Sequence, residues 1–377
     1  MSATVLTNRL ELKSVADMSL KAAARFWYVT AVIGQLVFAC AVASFYASAA
    51  VRGNFQAWNR FMPHGYVAGD TIGNLTVAVH LFAAVLIVVS GAIQLVPQIR
   101  RRAPALHRWN GRLYMLSAFT ISLVGLYMVW VRGSVGDLSL HLGISLNAVL
   151  VMVCAAMALR HALARDFTAH RRWALRLFLA VSGVWFFRVG LMLWLLLFRR
   201  PVGFDPKTFQ GPFLTFLSFA QYLLPLAVLE LYLRAQDRSS PPRRIAMAAG
   251  LLALTVAMGV GIFGATMVFW LPRIKIAYDS RKSIADTLAA TIASRGVEEA
   301  VKQYQDLKAA EPVTYNFDEG ELNTLGYMLI RSNRRKDAIR IFQLNVEAYP
   351  HSSKAHDSLA EAYVGDGDRT QAIANAP

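Results

Sequence analysis

Four histidines carry the strongest signal for chemistry in this sequence, because each lies in a different apolar segment. His80, His107, His141 and His170 fall on four consecutive predicted membrane helices, two near one face of the bilayer and two near the other. Hydrocarbon offers an imidazole no hydrogen-bond partner, so a histidine at membrane depth is a functional candidate. Imidazole nitrogens are also common metal ligands. The alternation therefore predicts two metal-binding levels stacked across the membrane, in the manner of a pair of haem sites.

Seven apolar segments position these histidines. Of the 377 residues, 56% are hydrophobic and 16% are charged, which is typical of an integral membrane protein. Each segment is near the roughly 20 residues that a helix needs to cross a bilayer. The segments are residues 26–51, 72–96, 110–131, 138–159, 173–198, 212–233 and 245–271. We therefore predict an all-α, polytopic membrane helix bundle of about seven spans over residues 26–271, with its core at 70–235, behind an N-terminal tail at 1–25.

The net charge of +16 invites a comparison with nucleic-acid binders, but the position of the charge excludes that class. The basic residues of the apolar half concentrate in the N-terminal tail and in loops 97–112, 160–176 and 234–244, which alternate along the chain. By the positive-inside rule these segments are cytoplasmic. The expected surroundings are the lipid bilayer of a bacterial inner membrane, with a cytoplasmic N-terminus and, after an odd number of spans, an extracytoplasmic C-terminal segment.

The segment 279–377 is predicted to form amphipathic helices with an internal repeat. Leu359 follows Leu325, and the pair Ala372-Ile373 follows Ala338-Ile339, at the same spacing. This spacing of about 34 residues resembles the tetratricopeptide repeat, a helix pair that buries its apolar face by stacking on its neighbours. The resemblance implies a surface that docks a protein partner. The alternative is a short helical cap that only rigidifies the end of the chain.

The residues around the histidines add detail to the prediction of two metal-binding levels. The face of the second span that carries His80 is lined by small residues such as Gly73 and Gly91, which would let a helix or a flat macrocycle approach. Arg188 lies about five helical turns beyond His170, which predicts a buried cation on the same face and near the level of His80. His107 and His170 are matched in depth, close to the membrane surface. Each of these two taken singly is also consistent with an interfacial residue that bonds a carbonyl.

The placement of one histidine on each of four successive helices resembles cytochrome b561 and its relatives, which hold two b-type haems in a four-helix core. The resemblance implies that His80 pairs with His141 around an outer haem and that His107 pairs with His170 around an inner haem. It also implies that Arg188 neutralises an outer propionate. Inner propionates would be neutralised by arginines of the cytoplasmic loops, namely Arg100, Arg101, Arg102, Arg108, Arg171, Arg172 and Arg176.

A second resemblance covers about residues 70–235 and rests on two motifs. The stretches His107-Arg108-Trp109-Asn110-Gly111-Arg112 and His170-Arg171-Arg172-Trp173 are similar to a bacterial family of predicted membrane proteins of unknown function. This resemblance brings no activity with it.

Three functions follow as hypotheses. The leading one is a transmembrane electron carrier with haem b at two sites, supplied by a quinol or another donor and docked to a partner through its repeats; if the chain is an enzyme, it is a membrane oxidoreductase. The alternative is a non-catalytic scaffold or assembly factor, in which His80 and Arg188 form a buried polar network. The third is a transporter for an anionic solute, for which the sequence offers no pair of half-helices interrupted by Gly or Pro.

Overall fold

The computed structural model describes residues 3–206 and 208–375 and confirms the all-α fold class. The described chain forms two compact units. Residues up to Ser48 together with Gly69–Ala277 form the first, which we call the membrane unit, and Ala49–Ala68 together with the residues from Tyr278 onward form the second, which we call the repeat unit.

The helices of the membrane unit are α1 (Ala3–Val51), α2 (Thr71–Gln94), α3 (Pro97–Arg102), α4 (Pro104–Tyr127), α5 (Leu138–Leu163), α6 (Phe167–Val181), α7 (Gly183–Phe198), α8 (Pro212–Arg238), α9 (Pro241–Ala265) and α10 (Leu271–Tyr278). Two π-helical turns, Met128–Gly133 and Thr266–Trp270, extend α4 and join α9 to α10. The repeat unit contains a 3₁₀ helix (Phe55–Arg60) and the helices α11 (Ile284–Arg295), α12 (Val297–Ala310), α13 (Glu319–Arg331), α14 (Arg335–Ala348), α15 (Ser353–Asp366) and α16 (Arg369–Ala374). Its strands β1 (Lys282–Ser283) and β2 (Tyr315–Asn316) pair in parallel.

The surface of the membrane unit is apolar, as a bilayer requires. Large side chains such as Phe82, Leu116 and Leu224 are more than half exposed. Within residues 3–206 and 208–375, six helices are long and apolar enough to cross a membrane, and a seventh span results if the bent pair α6–α7 crosses as one. These exposed apolar faces would be unfavourable in water and are satisfied by lipid.

The fifth apolar segment, 173–198, is not one continuous helix as its composition suggests. α6 and α7 meet at Ser182 at an angle of 52°. Polar side chains from other helices support the break: Gln35 of α1 donates to Ser182 Oγ at 2.8 Å, and Asn147 of α5 donates to the carbonyl oxygen of Ala180 at 3.2 Å. Ser182 Oγ in turn donates to the carbonyl of Phe178 at 2.7 Å. These hydrogen bonds satisfy polar groups that the kink would otherwise leave without a partner in hydrocarbon.

The later part of the predicted N-terminal tail 1–25 packs against the bundle. α1 is already helical from Ala3, and Leu20 and Ala23 pack against Ala248. Asp17 also forms an ion pair with Arg244 at the start of α9. The apolar residues lie three apart on one helical face, so this face is buried even though it precedes the most hydrophobic run.

The loop that follows α1 folds with the C-terminal helices, so the predicted domain 279–377 is incomplete without it. Arg60 forms an ion pair with Glu321 of α13, and both side chains are only 6% exposed. Asn54 Nδ2 donates to Asp286 Oδ2 at 2.7 Å. Sequence periodicity cannot detect this union, because it depends on polar contacts between segments that are far apart along the chain.

This union also constrains how often the chain crosses the bilayer. Ala49–Ala68 and the residues from Tyr278 onward must lie on one side of the membrane, since they fold as one unit. Between them lie five single-helix spans, which contain α2, α4, α5, α8 and α9, and the bent pair. Five crossings would leave the two segments on opposite sides. An even number results if α6 and α7 cross together as a sixth span, which would give seven spans with α1.

The two leucines on which the predicted period rests lie in the core of the repeat unit. Leu325 and Leu359 are both buried, at 1% and 3% exposure. Gly326 allows α13 to pack closely on α14, because a Cβ there would lie 2.4 Å from the ring of the fully buried Phe342. Tyr327 Oη donates to Glu361 Oε2 of α15 at 3.0 Å and so connects successive helix pairs. The helices stack as antiparallel pairs that share one core.

Asp286 makes the stability of the repeat unit depend on pH. Burial raises the pKa of this carboxyl above its ordinary value, against the opposing effects of Asn54 and Arg60, and Glu321 adds to the rise. A raised pKa means that the folded state favours the protonated form, so this contribution to stability is present at low pH and is lost as pH rises through the folded pKa. We expect Asp286→Asn to slow hydrogen exchange in α11 at neutral pH. It should also remove the gain in stability that the wild type shows when the pH is lowered.

The matched control is Asp306→Asn, which neutralises an exposed carboxylate of α12. Exchange rates in the full-length protein are corrected for the intrinsic effect of pH. If Asp286→Asn and the wild type respond to acid in parallel, Asp286 does not contribute to the pH dependence.

Candidate functional site

The four histidines lie on α2, α4, α5 and α6, one on each helix. A packed apolar layer divides the bundle into two levels, and on each helix the histidine precedes this layer in the chain. Since consecutive spans run in opposite directions, His80 and His141 lie at one end of the unit and His107 and His170 at the other. We call these the His80 end and the His107 end. The layer between them includes Ile87, Tyr114, Val151 and Leu177.

At the His107 end, the structure brings the two histidines together. His107 and His170 lie close enough for their charges to interact. His170 Nδ1–H donates to the carbonyl oxygen of Ala158 on α5 at 2.8 Å. This bond leaves the lone pair on Nε2, which is the tautomer in which an imidazole binds a metal. His107 Nδ1 is buried and has no hydrogen-bond partner, while its Nε2 lies 3.5 Å from Gln94 Nε2.

Asn110 and Gln94 orient this end, and the sequence predicted this role for neither of them. Asn110, one turn after His107, donates to the carbonyl of Ser90 and to Gln94 Oε1, both at 2.8 Å. Gly111 makes room for the Gln94 amide, since a Cβ there would lie 2.8 Å from Gln94 Nε2. Asn110 lies in the motif at 107–112, but within the sequence only its spacing from His107 suggests that it orients the His107 end.

At the His80 end, the imidazole of His80 faces α4. Its Nδ1 is buried without a partner, and its Cε1 lies 3.9 Å from where a Cβ of Gly125 would stand. The charge of Arg188 reaches His80, yet no hydrogen bond joins the two side chains in the part of the chain that the structure describes.

Arg188 does not lie near His80 for the reason predicted from the sequence. Because the helix is broken at Ser182, counting continuous turns from His170 is wrong, and the two residues do not share one straight face. The proximity of Arg188 to His80 nevertheless agrees with the predicted level.

His141 packs against the ring of Trp130. The rings of His141 and Trp130 meet edge to face, with centroids 5.9 Å apart. Trp130 Nε1 donates to Ser145 Oγ at 2.9 Å, and Ser145 Oγ donates to the His141 carbonyl at 2.8 Å. His141 Nε2 is buried without a partner. No hydrogen bond or ring contact joins His141 to His80 within residues 3–206 and 208–375.

The π-helical turn that carries Trp130 is anchored to α2. Arg132 donates to Asp70 Oδ2 at 2.9 Å and to Asn74 Oδ1 at 2.8 Å. Gly73 leaves the space for this contact, because a Cβ there would lie 1.8 Å from Arg132 Nη1. Gly73 thus admits an arginine, and Gly91 admits Tyr114, whose ring would lie 3.0 Å from a Cβ. The small residues of α2 let neighbouring side chains approach.

Some of the arginines expected to face propionates are already neutralised. Arg172 bonds Asp237 at 2.6 Å, and Arg176 bonds Glu230 at 2.8 Å. The other expected arginines have no carboxylate partner among the residues that the structure describes, and all are exposed: Arg100, Arg101, Arg102, Arg108 and Arg171.

A haem would need fewer ligands from the protein at this site than a bare metal ion. His80, His107 and His141 each have one buried ring nitrogen without a partner, which is costly unless a ligand satisfies it. Among the described residues, no three His, Cys, Asp or Glu side chains gather closely enough to hold an ion alone. A porphyrin supplies four nitrogen ligands itself, so it needs from the protein only one imidazole on each face.

Comparison with known proteins agrees with the membrane assignment. Residues 77–223 match the model of a family described as "Predicted membrane protein (DUF2306)". The chain is an integral membrane protein. The match includes all four histidines and Arg188 and lies inside the stretch 70–235 for which a family of this kind was expected. No curated protein and no solved structure matches the chain.

Proposed function

We propose that the membrane unit binds b-type haem and carries electrons across the bilayer. The observation that supports this most directly is the set of buried, unpartnered imidazole nitrogens on three helices of the four-helix core. The pair His107 and His170 is the primary site, because the His170 ring is held by the Ala158 carbonyl and the His107 ring lies beside the Gln94 amide. The pair His80 and His141 is the second site.

The protein's own residues have distinct roles at the primary site. The Ala158 carbonyl holds the His170 ring by its Nδ1–H and so directs Nε2 toward a ligand. Gln94, itself held by Asn110, lies beside His107 Nε2 and restricts the rotation of that ring. The layer that contains Tyr114 and Leu177 excludes water between the two levels. Haem with two imidazole ligands has no open coordination position and transfers electrons rather than binding oxygen.

The surroundings of the site suggest how electrons would enter and leave. In this proposal the basic loops face the cytoplasm of a bacterial inner membrane, and the repeat unit is extracytoplasmic. A quinol or another donor would supply electrons. The stacked helix pairs of the repeat unit, with their tetratricopeptide-like period, would dock the protein partner at the other end of the path.

An optical spectrum tests the haem proposal. We expect protein produced with ample haem and purified in detergent to show a Soret band, and an alpha band after reduction with dithionite. His170→Ala and His107→Ala should each remove about half of the bound haem, because loss of one axial ligand empties one of two sites. The control is His161→Ala, at the end of α5, whose ring lies 3.5 Å from the carboxylate of Asp166; it should retain the full spectrum.

Absence of both bands in the wild type would refute the proposal, and the scaffold hypothesis would then be preferred. Loss of haem in His161→Ala to the same extent as in His170→Ala would show that the effect is not specific to the site.

A further inference from the structure

A second feature of the membrane unit is a group of exposed arginines at the His107 end, which we call the arginine cluster. Three of them lie on α3 and two near the start of α4. α3 joins two helices that are each long and apolar enough to cross a membrane, so it lies where the bilayer meets water. All five side chains are exposed: Arg100, Arg101, Arg102, Arg108 and Arg112.

The chain does not neutralise the arginine cluster with its own carboxylates. None of the five arginines forms an ion pair with an Asp or Glu within the described ranges 3–206 and 208–375. Three acidic side chains at this end are engaged by other residues: Asp166 by His161, Asp237 by Arg172 and Glu230 by Arg176. The arginine cluster therefore presents positive charge at the membrane surface.

The first turns of α4 place an apolar stripe beside two of these arginines. Leu106, Trp109 and Leu113 are 52%, 67% and 39% exposed, and their spacing puts them on one face of the helix. The Arg112 guanidinium lies over the Trp109 ring, 4.7 Å from its centroid. Arg108 lies one turn before Arg112 on the same face. Charged and apolar stripes side by side are typical of a helix segment that lies in the headgroup region.

An anionic phospholipid matches both parts of this surface. A guanidinium presents planar N–H donors that fit the oxygens of a phosphate. Basic clusters immediately beside a membrane span attract anionic lipids. We propose that the arginine cluster and Trp109 bind the headgroup of an anionic phospholipid, whose acyl chain lies along Leu106 and Leu113.

The apolar stripe favours a lipid over free phosphate, because free phosphate has no apolar part to cover it. The positive-inside rule explains why basic residues occur in this segment, but it does not require an exposed tryptophan under one of them. The site does not depend on haem being bound.

The experiment offers the full-length protein, freed of lipid in neutral detergent, equal amounts of phosphatidylglycerol and phosphatidylcholine and counts the retained lipids by native mass spectrometry. We expect the wild type to prefer phosphatidylglycerol. The double variant Arg101→Gln, Arg102→Gln should lower this preference by about fivefold for each arginine, the usual contribution of one basic residue near an anionic surface. Brominated phosphatidylglycerol should also quench the fluorescence of the wild type more than that of Trp109→Phe, because Trp109 lies at the site.

The matched control is the double variant Arg199→Gln, Arg200→Gln. It makes the same charge change at two adjacent exposed arginines that follow α7, on the far side of the bend from His170, and it should keep the preference. Both double variants should unfold at the same temperature as the wild type when no lipid is added, because all four side chains are exposed. The proposal is overturned if the wild type retains both lipids equally, or if the two double variants lose the preference to the same extent. Displacement of phosphatidylglycerol by inorganic phosphate would also overturn it, since the arginines would then bind a free anion.

Discussion

Replacing Glu321 with alanine is expected to destabilise the repeat unit by about 3–5 kcal/mol, the typical cost of leaving one member of a buried ion pair unpaired. Glu321 accepts from Arg60 through one carboxylate oxygen and from Ser283 Oγ and the Ala285 backbone N–H through the other. Its removal leaves the Arg60 guanidinium buried without a counter-charge. Hydrogen exchange of α13, and the rate at which a protease cleaves the 49–68 loop in the full-length protein, should both rise strongly.

The control for this variant lies in the same unit. Glu347 pairs with Arg340 at 3.2 Å, but its side chain is 54% exposed. Glu347→Ala should cost about 0–1 kcal/mol, as solvent-exposed pairs do. A double variant, Arg60→Met with Glu321→Met, should recover most of the loss, because apolar side chains leave no unpaired charge. Equal effects of Glu321→Ala and Glu347→Ala would contradict a role for the buried pair in holding the loop.

Replacing Gly261 with alanine is expected to force α7 and α9 apart. A Cβ at position 261 would lie 2.5 Å from the backbone carbonyl oxygen of Val189. Backbone cannot rotate away as a side chain can, so the helices themselves must shift. We expect a loss of about 1–3 kcal/mol, typical of an overpacked core, measured as a lower midpoint of thermal unfolding in detergent. The displacement would also disturb Arg188, which lies one residue before Val189.

A neighbouring glycine separates this steric effect from helix propensity. Gly259 lies two residues earlier on α9, and nothing stands within 4 Å of its hypothetical Cβ. Gly259→Ala should therefore leave stability unchanged or raise it by up to about 1 kcal/mol, the usual preference of helices for alanine. If both variants behave alike, close contact between α7 and α9 does not limit the stability of the membrane unit.

Much of the fold could be predicted from the sequence because it depends on local properties. The length of an apolar run indicates whether a helix can cross a bilayer, so every predicted span overlaps a helix of the structure, although α1 begins well before residue 26 and the fifth segment is bent at Ser182. The spacing of His80, His107, His141 and His170 placed one imidazole on each of four helices. The repeat period likewise placed Leu325 and Leu359 in equivalent buried positions.

The candidate site could be predicted only in part. The sequence indicates the levels of the four histidines, but not which of them lie together. Depth and small neighbours favoured His80, and neither property indicates which histidine it would face. The residues that orient these rings, Gln94 and Ala158, contribute an amide and a backbone carbonyl, which carry no pattern in a single sequence.

What the sequence determined by itself is the membrane bundle, its spans and the helix that carries each histidine, because hydrophobicity and helical period act over neighbouring residues. Only the tertiary structure decided the bend at Ser182 and the union of Ala49–Ala68 with the C-terminal helices. These features depend on single polar contacts between distant segments, as between Gln35 and Ser182 or Arg60 and Glu321. In hydrocarbon or in a packed core such contacts are strong enough to direct the backbone, yet they leave no periodic trace along the chain.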